Sequence, residues 1–192
     1  MGNREDLLAG AKRCLLAKGY TRTTARDIAA ESGVSLAAIG YHFGSKEVLL
    51  QEALRDAITE WGDGIAAVLA AETDPAAPAA ERLEAIWDRI VGSFAGTRPL
   101  WALQFEVIAH IERTPDLRAS FAEANRQARL GLAELFGTGA EAVGDRHAER
   151  VGAYYQTMLA GMAAQWLIDP QTAPSGPDLV AAMRTVAAGI AP

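Results

Sequence analysis

The sequence predicts an all-α protein. Three observations carry that prediction. Apolar residues recur three and four apart through most of the 192 residues, while sustained alternating Val/Ile/Thr runs and Asn-Gly hairpin signals are missing. Gly and Pro also fall in clusters that cut the helical pattern into segments. Half of the residues are hydrophobic and 22% are charged, enough to bury a core and too apolar for wholesale disorder. The single cysteine, Cys14, excludes a disulfide framework and a multi-cysteine zinc site.

Each element has its own justification. The first helix runs from about Arg4 to Lys18, with Leu7, Leu8, Ala11, Leu15 and Leu16 on one face, and Gly19 stops it. Thr24 caps a short second helix, because Thr24-x-x-Asp27 fits a capping box, with Ile28 and Ala29 facing inward. Gly33 ends that helix, Val34 plugs the turn, and Ser35 caps a third helix through about Tyr41. Ser45 caps a long fourth helix carrying Leu49, Leu50, Leu54, Ile58, Trp61, Ile65 and Leu69.

Thr73 to Pro78 reads as a linker. Five more helices are expected at about 79–95, 99–112, 115–136, 145–168 and 177–190. Gly96-Thr97-Arg98-Pro99, Thr114-Pro115, Gly137-Thr138-Gly139 and the loop from Pro170 to Pro177 separate them. Nine helices and no sheet result. Residues 151–168 carry no charge and touch the length of a membrane span. Gln156, Thr157, Gln165, two glycines and two tyrosines mark them instead as an interface helix, so no membrane partner is expected. No charged-then-apolar leader opens the chain, which favours a cytoplasmic location.

The net charge of −6 argues at first against a nucleic-acid partner. Its distribution argues the other way. Residues 1–50 hold seven basic and five acidic side chains, a balance of +2, which leaves −8 on residues 51–192. All three lysines lie in that first stretch. A mildly basic head on an acidic, apolar body points to a polyanion partner for the head.

The head meets the requirements of a helix-turn-helix: a short positioning helix, a tight turn, and a second helix free to enter the major groove. Thr24 to Ser35 supplies each part, with Ala29 small where helices approach and Gly33 permitting the turn. The longer string YTRTTARDIAAESGVSLAAIGYHFGSKEVLL, residues 20–50, closely resembles the DNA-binding domain of the TetR (tetracycline repressor) family. The matching elements are Gly19-Tyr20, Thr23-Thr24 before Arg26-Asp27-Ile28-Ala29, Gly33-Val34-Ser35, Tyr41-His42-Phe43, and Ser45-Lys46-Glu47 with Leu49 and Leu50.

By that resemblance, and by their chemistry, Thr23, Thr24, Tyr41, His42 and Lys46 are candidate phosphate contacts. Tyr41 and His42 could equally pack against the first helix, and Phe43 reads as core. Arg26, Ser35, Leu36, Ala37 and Ala38 are the candidate base readers. Arg26 suits either a guanine edge or a phosphate. Gly40 departs from the family, which often has a bulky residue there; it weakens the third helix by roughly 1 kcal/mol and removes a possible duplex contact.

The body is too apolar to be a spacer. In helix 99–112, Leu100, Leu103, Val107, Ile108 and Ile111 lie on one side and Trp101 and Phe105 on another, as expected of a central helix. Candidate lining for a small-ligand pocket comprises Trp61, Ile65, Trp87, Phe94, Leu103, Gln104, Val107, Ile108, Phe121, Asn125, Tyr155 and Met158, with His110 nearby. The same side chains also suit plain core. The resemblance implies an effector pocket in this region.

The last two long helices offer stripes through Val151, Tyr154, Met162, Gln165 and Trp166, and through Leu179, Met183 and Val186. They suit a four-helix bundle between two subunits, which also resembles the family arrangement. Enzyme motifs are missing: His42, His110 and His147 are scattered, with no His-Glu-x-x-His, Gly-x-Ser-x-Gly or phosphate-binding loop. No catalysis, metal or cofactor is expected.

The expectation is therefore a DNA-binding domain over residues 1–50 and an effector-binding and dimerisation domain over 51–192. Its partners are a double-stranded, pseudo-palindromic operator, a small apolar or amphipathic effector that releases a homodimeric repressor, and a second copy of the chain. The alternative is a dimeric DNA-binding module without an effector.

Overall fold

The computed structural model describes residues 2–72, 74, 76–111, 115–137 and 144–190. Among them are eight α-helices and no strand. In order they are α1 (Asn3–Lys18), α2 (Ala25–Ser32), α3 (Leu36–Phe43), α4 (Lys46–Glu72) and α5 (Ala79–Ile111), then α6 (Pro115–Leu135), α7 (Asp145–Ile168) and α8 (Gly176–Ile190). The all-α expectation holds, and among the described residues the expected nine helical segments appear as eight continuous stretches. The segments expected at 79–95 and 99–112 follow each other within α5, two helices that abut across a kink at the non-helical Thr97 (φ −116°, ψ 16°), the second described as far as Ile111. Pro99 has no N–H to continue the ladder, and the Thr97 hydroxyl donates to the Ser93 carbonyl at 2.8 Å, so the break costs no loop.

Part of the expected linker, the break before Pro115 and most of that after Gly137 lie outside the described residues. Within the linker, the Ala77 N–H donates to the Asp74 carbonyl at 3.0 Å, closing a turn. The Thr24–Asp27 capping box and the Ser45 cap form as expected. Ser35 stands at the N-cap of α3, but its side chain makes no capping bond. That hydroxyl stays free.

The chain divides into two compact units, Met1–Asp63 with Pro99–Pro115, and Gly64–Arg98 with Asp116–Pro192. In the first, Leu7, Ala11, Cys14 and Leu15 of α1 are buried, as are Ile28 of α2, Ile39 and Phe43 of α3, and Leu49, Leu50, Ala53 and Leu54 of α4. Helices α1, α2 and α3 contact one another, and α1 and α2 meet where a Cβ on Gly10 would stand 2.9 Å from the Ser32 Cβ. Gly10 is thus demanded by the approach of α1 to the end of α2, a contact outside the turn for which the sequence singled out Ala29. Leu100, Trp101, Leu103 and Val107 of α5 are buried in this unit too, and Trp101 meets Trp61 edge-on at 5.0 Å. Folding thus carries the head's core past residue 50.

In the second unit, Trp87, Ile90 and Phe94 of α5 are fully buried, along with Ala133, Ala148, Ala163 and Val180. Helices α6 and α7 approach at backbone distance: a Cβ on Gly152 would fall 1.9 Å from the Arg129 carbonyl oxygen. Beside that point Gln156 accepts from Arg129 (3.0 Å) and donates to Asn125 (3.2 Å). Phe136 stacks on Tyr155, centroids 3.8 Å apart, and Trp87 tilts against Phe136 at 5.1 Å. Among the described residues, no helix is long and apolar enough to cross a membrane.

Candidate nucleic-acid interface

Helix α3 presents one face to solvent. Ile39 and Phe43 point into the core, while Leu36, Ala37, Gly40 and Tyr41 are exposed, four positions that share one side of a helix. Gly33, in the left-handed conformation at φ 70°, ends α2 and permits the turn between the two helices. Tyr41 is 86% exposed and meets the His42 ring edge-on at 4.8 Å. A Cβ at Gly40 would meet nothing within 4 Å. Ala38 and His42 are half-buried at the edge of this face.

Five of the seven basic side chains in residues 1–50 pair with carboxylates inside the unit, Lys46 with its neighbour Glu47 at 3.5 Å among them. Arg4 pairs with Glu52 at 2.5 Å, Arg13 with Glu31 at 2.6 Å and Lys18 with Asp27 at 2.6 Å. Lys12 bridges Asp56 at 2.7 Å and Glu60. Arg22 donates through Nε to the Lys18 carbonyl at 2.7 Å. Arg26, exposed in the first turn of α2, makes no ion pair or hydrogen bond among the described residues. The +2 balance of the head therefore overstates its free cations.

The threonines divide. Thr23 is 0% exposed, with its hydroxyl 2.6 Å from the Gly19 carbonyl and 3.3 Å from that of Cys14. This corrects the expectation of a phosphate contact from that side chain: its hydroxyl is spent on the end of α1. Thr24 is exposed, but its hydroxyl donates to Asp27 at 2.7 Å and accepts from the Asp27 N–H at 3.1 Å. Lys18 and Thr24 together hold the Asp27 carboxyl well below the usual carboxylate range. Lys46 is half-buried; its ammonium donates to the Thr23 carbonyl at 3.3 Å and lies 3.5 Å from Glu47.

Sequence reasoning missed Glu106. Its carboxylate accepts from the N–H groups of Tyr20 (3.0 Å) and Thr21 (2.9 Å) and from the Thr21 hydroxyl (2.6 Å). Burial raises its pKa, but these donors, with Arg22 nearby, more than offset that and leave it below the usual glutamate value. A signal existed: Glu106 is the one Asp, Glu, Lys or Arg between Pro99 and Ile111.

The expected pocket residues are divided between the two units. Trp61, Leu103, Gln104 and Val107 belong to the first unit, and Ile65, Trp87, Phe94, Phe121, Asn125, Tyr155 and Met158 to the second. Ile108 is 57% exposed and Asn125 is an exposed partner of Gln156, which corrects both as interior lining. His110 packs its ring 5.3 Å from Tyr20. A cleft in the first unit, lined by Leu15, Lys18, Arg22, Ala102 and Glu106 among others, takes only Leu103 from that expected set. Trp87, by contrast, is fully buried with an indole N–H that finds no acceptor among the described residues.

The dimer stripes are mixed. Tyr154, Gln165 and Val186 are exposed, Val151 and Met183 half-buried. Met162 and Leu179 are buried in their own unit, and Trp166 is occupied by Phe94 at 5.8 Å and the Arg98 guanidinium at 5.6 Å. Those three are core or core edge, because both helices turn a second apolar side toward their own subunit.

Comparison with known proteins matches residues 7–53 to the profile described as bacterial regulatory proteins, tetR family, and residues 78–191 to that of the BetI-type transcriptional repressor, C-terminal. The transcriptional regulator TtgR of Pseudomonas putida is 28% identical over 179 residues, covering 88% of this chain and 82% of its own. The repressor AcnR of Corynebacterium efficiens is 35% identical over 74 residues, 36% of this chain and 39% of its own. Among solved structures, a transcriptional regulator from Saccharomonospora viridis in complex with choline superposes with TM-score 0.64 at 26% identity, covering 95% of this chain and 93% of that one. The multidrug binding protein EbrR complexed with proflavin gives 0.64 at 24% identity, covering 96% and 99%.

Proposed function

This chain belongs to the TetR family of bacterial regulatory proteins, and on that premise we propose that it is an effector-released repressor acting as a homodimer. As a member it is a transcriptional regulator with a DNA-binding helix-turn-helix. The observation that carries the finer reading is the exposed, nearly all-apolar face of α3, Leu36, Ala37, Gly40 and Tyr41, together with the exposed, unpaired Arg26 in the first turn of α2. Such a face suits thymine methyls, while Arg26, Tyr41, His42 and Lys46 suit a guanine edge or phosphates. The free Ser35 hydroxyl adds one donor and acceptor.

Repression is supported by the repressor named in the C-terminal profile and by AcnR. A homodimer is supported by the exposed Tyr154 and Val186 and by Ile190, 79% exposed at the end of α8. Two copies would present two α3 helices to half-sites about 34–36 Å apart or a multiple of that. An effector is supported by the choline and proflavin complexes of similar proteins and by the unsatisfied Trp87 indole. A molecule preferring the conformer with misplaced heads would draw the protein off DNA.

The test is enrichment of duplexes from a random pool by the full chain, with the mass of the complex measured in solution. An inverted repeat bound by two protomers is expected. Proflavin and choline are then titrated against the complex. Release by either supports the sensor reading; a duplex bound equally with and without a broad panel of such cations favours the effector-independent module. Enrichment of no duplex overturns the reading.

A further inference from the structure

We propose that Glu106 is a positioning residue for the DNA-reading head: its carboxylate sets the segment between α1 and α2, on which specific DNA affinity depends. The inference rests on the DNA-binding reading and adds a residue that makes no DNA contact.

The chain leaves α1 at Gly19, with φ 84°, and the Gly19 N–H still bonds back to the Leu15 carbonyl at 2.8 Å. The next two N–H groups, of Tyr20 and Thr21, have left the helix and need acceptors. Glu106 supplies one oxygen to each, and the Thr21 hydroxyl shares the second. Two successive amides held by one carboxylate form a forked, charge-assisted grip. Its closeness shows at Gly19, where a Cβ would stand 2.5 Å from Glu106 Oε2. One turn further along α5, the His110 ring packs against Tyr20, so the same helix face holds that residue by backbone and by ring.

From this anchor the segment continues without slack. The Thr23 hydroxyl returns to the Gly19 carbonyl, the Thr23 carbonyl accepts from Lys46, and Thr24 caps α2. The start of α2, and the packing of α3 on it, therefore inherit the position of Glu106. A shift of about 1 Å in α5 would carry all three bonds beyond hydrogen-bond range.

The test compares full-length Glu106→Gln, Glu106→Ala and Thr21→Val with the parent. Each is measured on the duplex the parent enriches from a random pool, on a scrambled duplex, and by hydrogen exchange at the Tyr20 and Thr21 amides. Glu106→Gln is expected to weaken the enriched duplex about tenfold and the scrambled one less than about twofold, with an unchanged salt slope because no phosphate contact is lost. Both amides should exchange faster, and Thr21→Val should fall between. A purely structural role would lower the melting temperature and leave the ratio of the two affinities unchanged. If Glu106→Ala does not fold, the other two variants decide. Unchanged ratio and unchanged amide protection in both overturn the inference alone; a parent that enriches no duplex overturns the DNA-binding reading with it.

Discussion

The ammonium of Lys46, in the first turn of α4, donates to the carbonyl of Thr23, the residue before the N-cap of α2. A cation at a helix N-terminus is unfavourable to the dipole, and here it is offset by joining the two helix starts. Lys46 thus has a hydrogen bond and an ion pair with Glu47 inside the head, and the phosphate contact proposed for it falls to what its three N–H donors leave over.

Lys46→Ala is expected to weaken binding to all duplexes and to lower the salt slope by about one. It should also cost about 1 kcal/mol of stability through the stranded Thr23 carbonyl. Binding measured across a salt series checks it. A changed sequence preference at constant salt slope would defeat the phosphate assignment.

Thr24→Ala removes the capping box and should destabilise the chain by about 1 kcal/mol in chemical denaturation. Asp27 and Glu106 add an acid dependence. Both carboxyls sit below their ordinary values in the folded chain, so their stabilisation is complete above the unfolded pKa of about 4 and is lost as pH falls through the folded values. Asp27→Asn should lose less stability than the parent between neutral and strongly acid pH. An equal loss would remove Asp27 from the acid response.

Gly40→Ala should stabilise the chain by about 0.5–1 kcal/mol, because α3 gains propensity and the new methyl meets open space. Gly19→Ala should do the opposite, by about 1–3 kcal/mol, from its positive φ and the approach of Glu106. Denaturant midpoints for the pair test the contrast; two shifts of the same sign would contradict it.

Trp87→Phe should stay within about 1 kcal/mol of the parent, since the smaller ring is compensated by deleting an orphaned donor. Trp87→Ala should cost about 3–5 kcal/mol as an ordinary core truncation. If both variants cost the same, the indole N–H is satisfied in solution, by water for example.

Val186→Asp should halve the mass in solution while leaving the far-ultraviolet helix signal intact, because the side chain is 63% exposed within one chain. A parent with the mass of two chains that the substitution leaves unchanged would remove Val186 from the proposed contact, and a parent with the mass of one chain would overturn the proposed homodimer.

The reading head was legible because its signals are local. Thr24 and Asp27 are three apart, Gly33 marks its own turn, and the alternation of Ile39 and Phe43 with Leu36, Gly40 and Tyr41 sorts the faces of α3. Thr23 was misread because adjacent threonines look alike in sequence, and only the packing of α1 separates a buried hydroxyl from an exposed one. Glu106 was missed because its partners lie 85 and 86 residues away. The pocket and dimer stripes were the least legible: helices apolar on two sides do not say which side their own subunit covers, as Met162 and Leu179 demonstrate.

The meeting of Gly152 with the Arg129 carbonyl fixes which part of the second unit can give way. Helices in backbone contact are already at their hard-core limit, and the Gln156 bridge to Asn125 and Arg129 fastens them there. That stretch behaves as a fulcrum, stiff and incompressible. The stack of Phe136 on Tyr155 beside Trp87 is held by ring contacts alone, so it can yield by side-chain rotation where the glycine contact cannot.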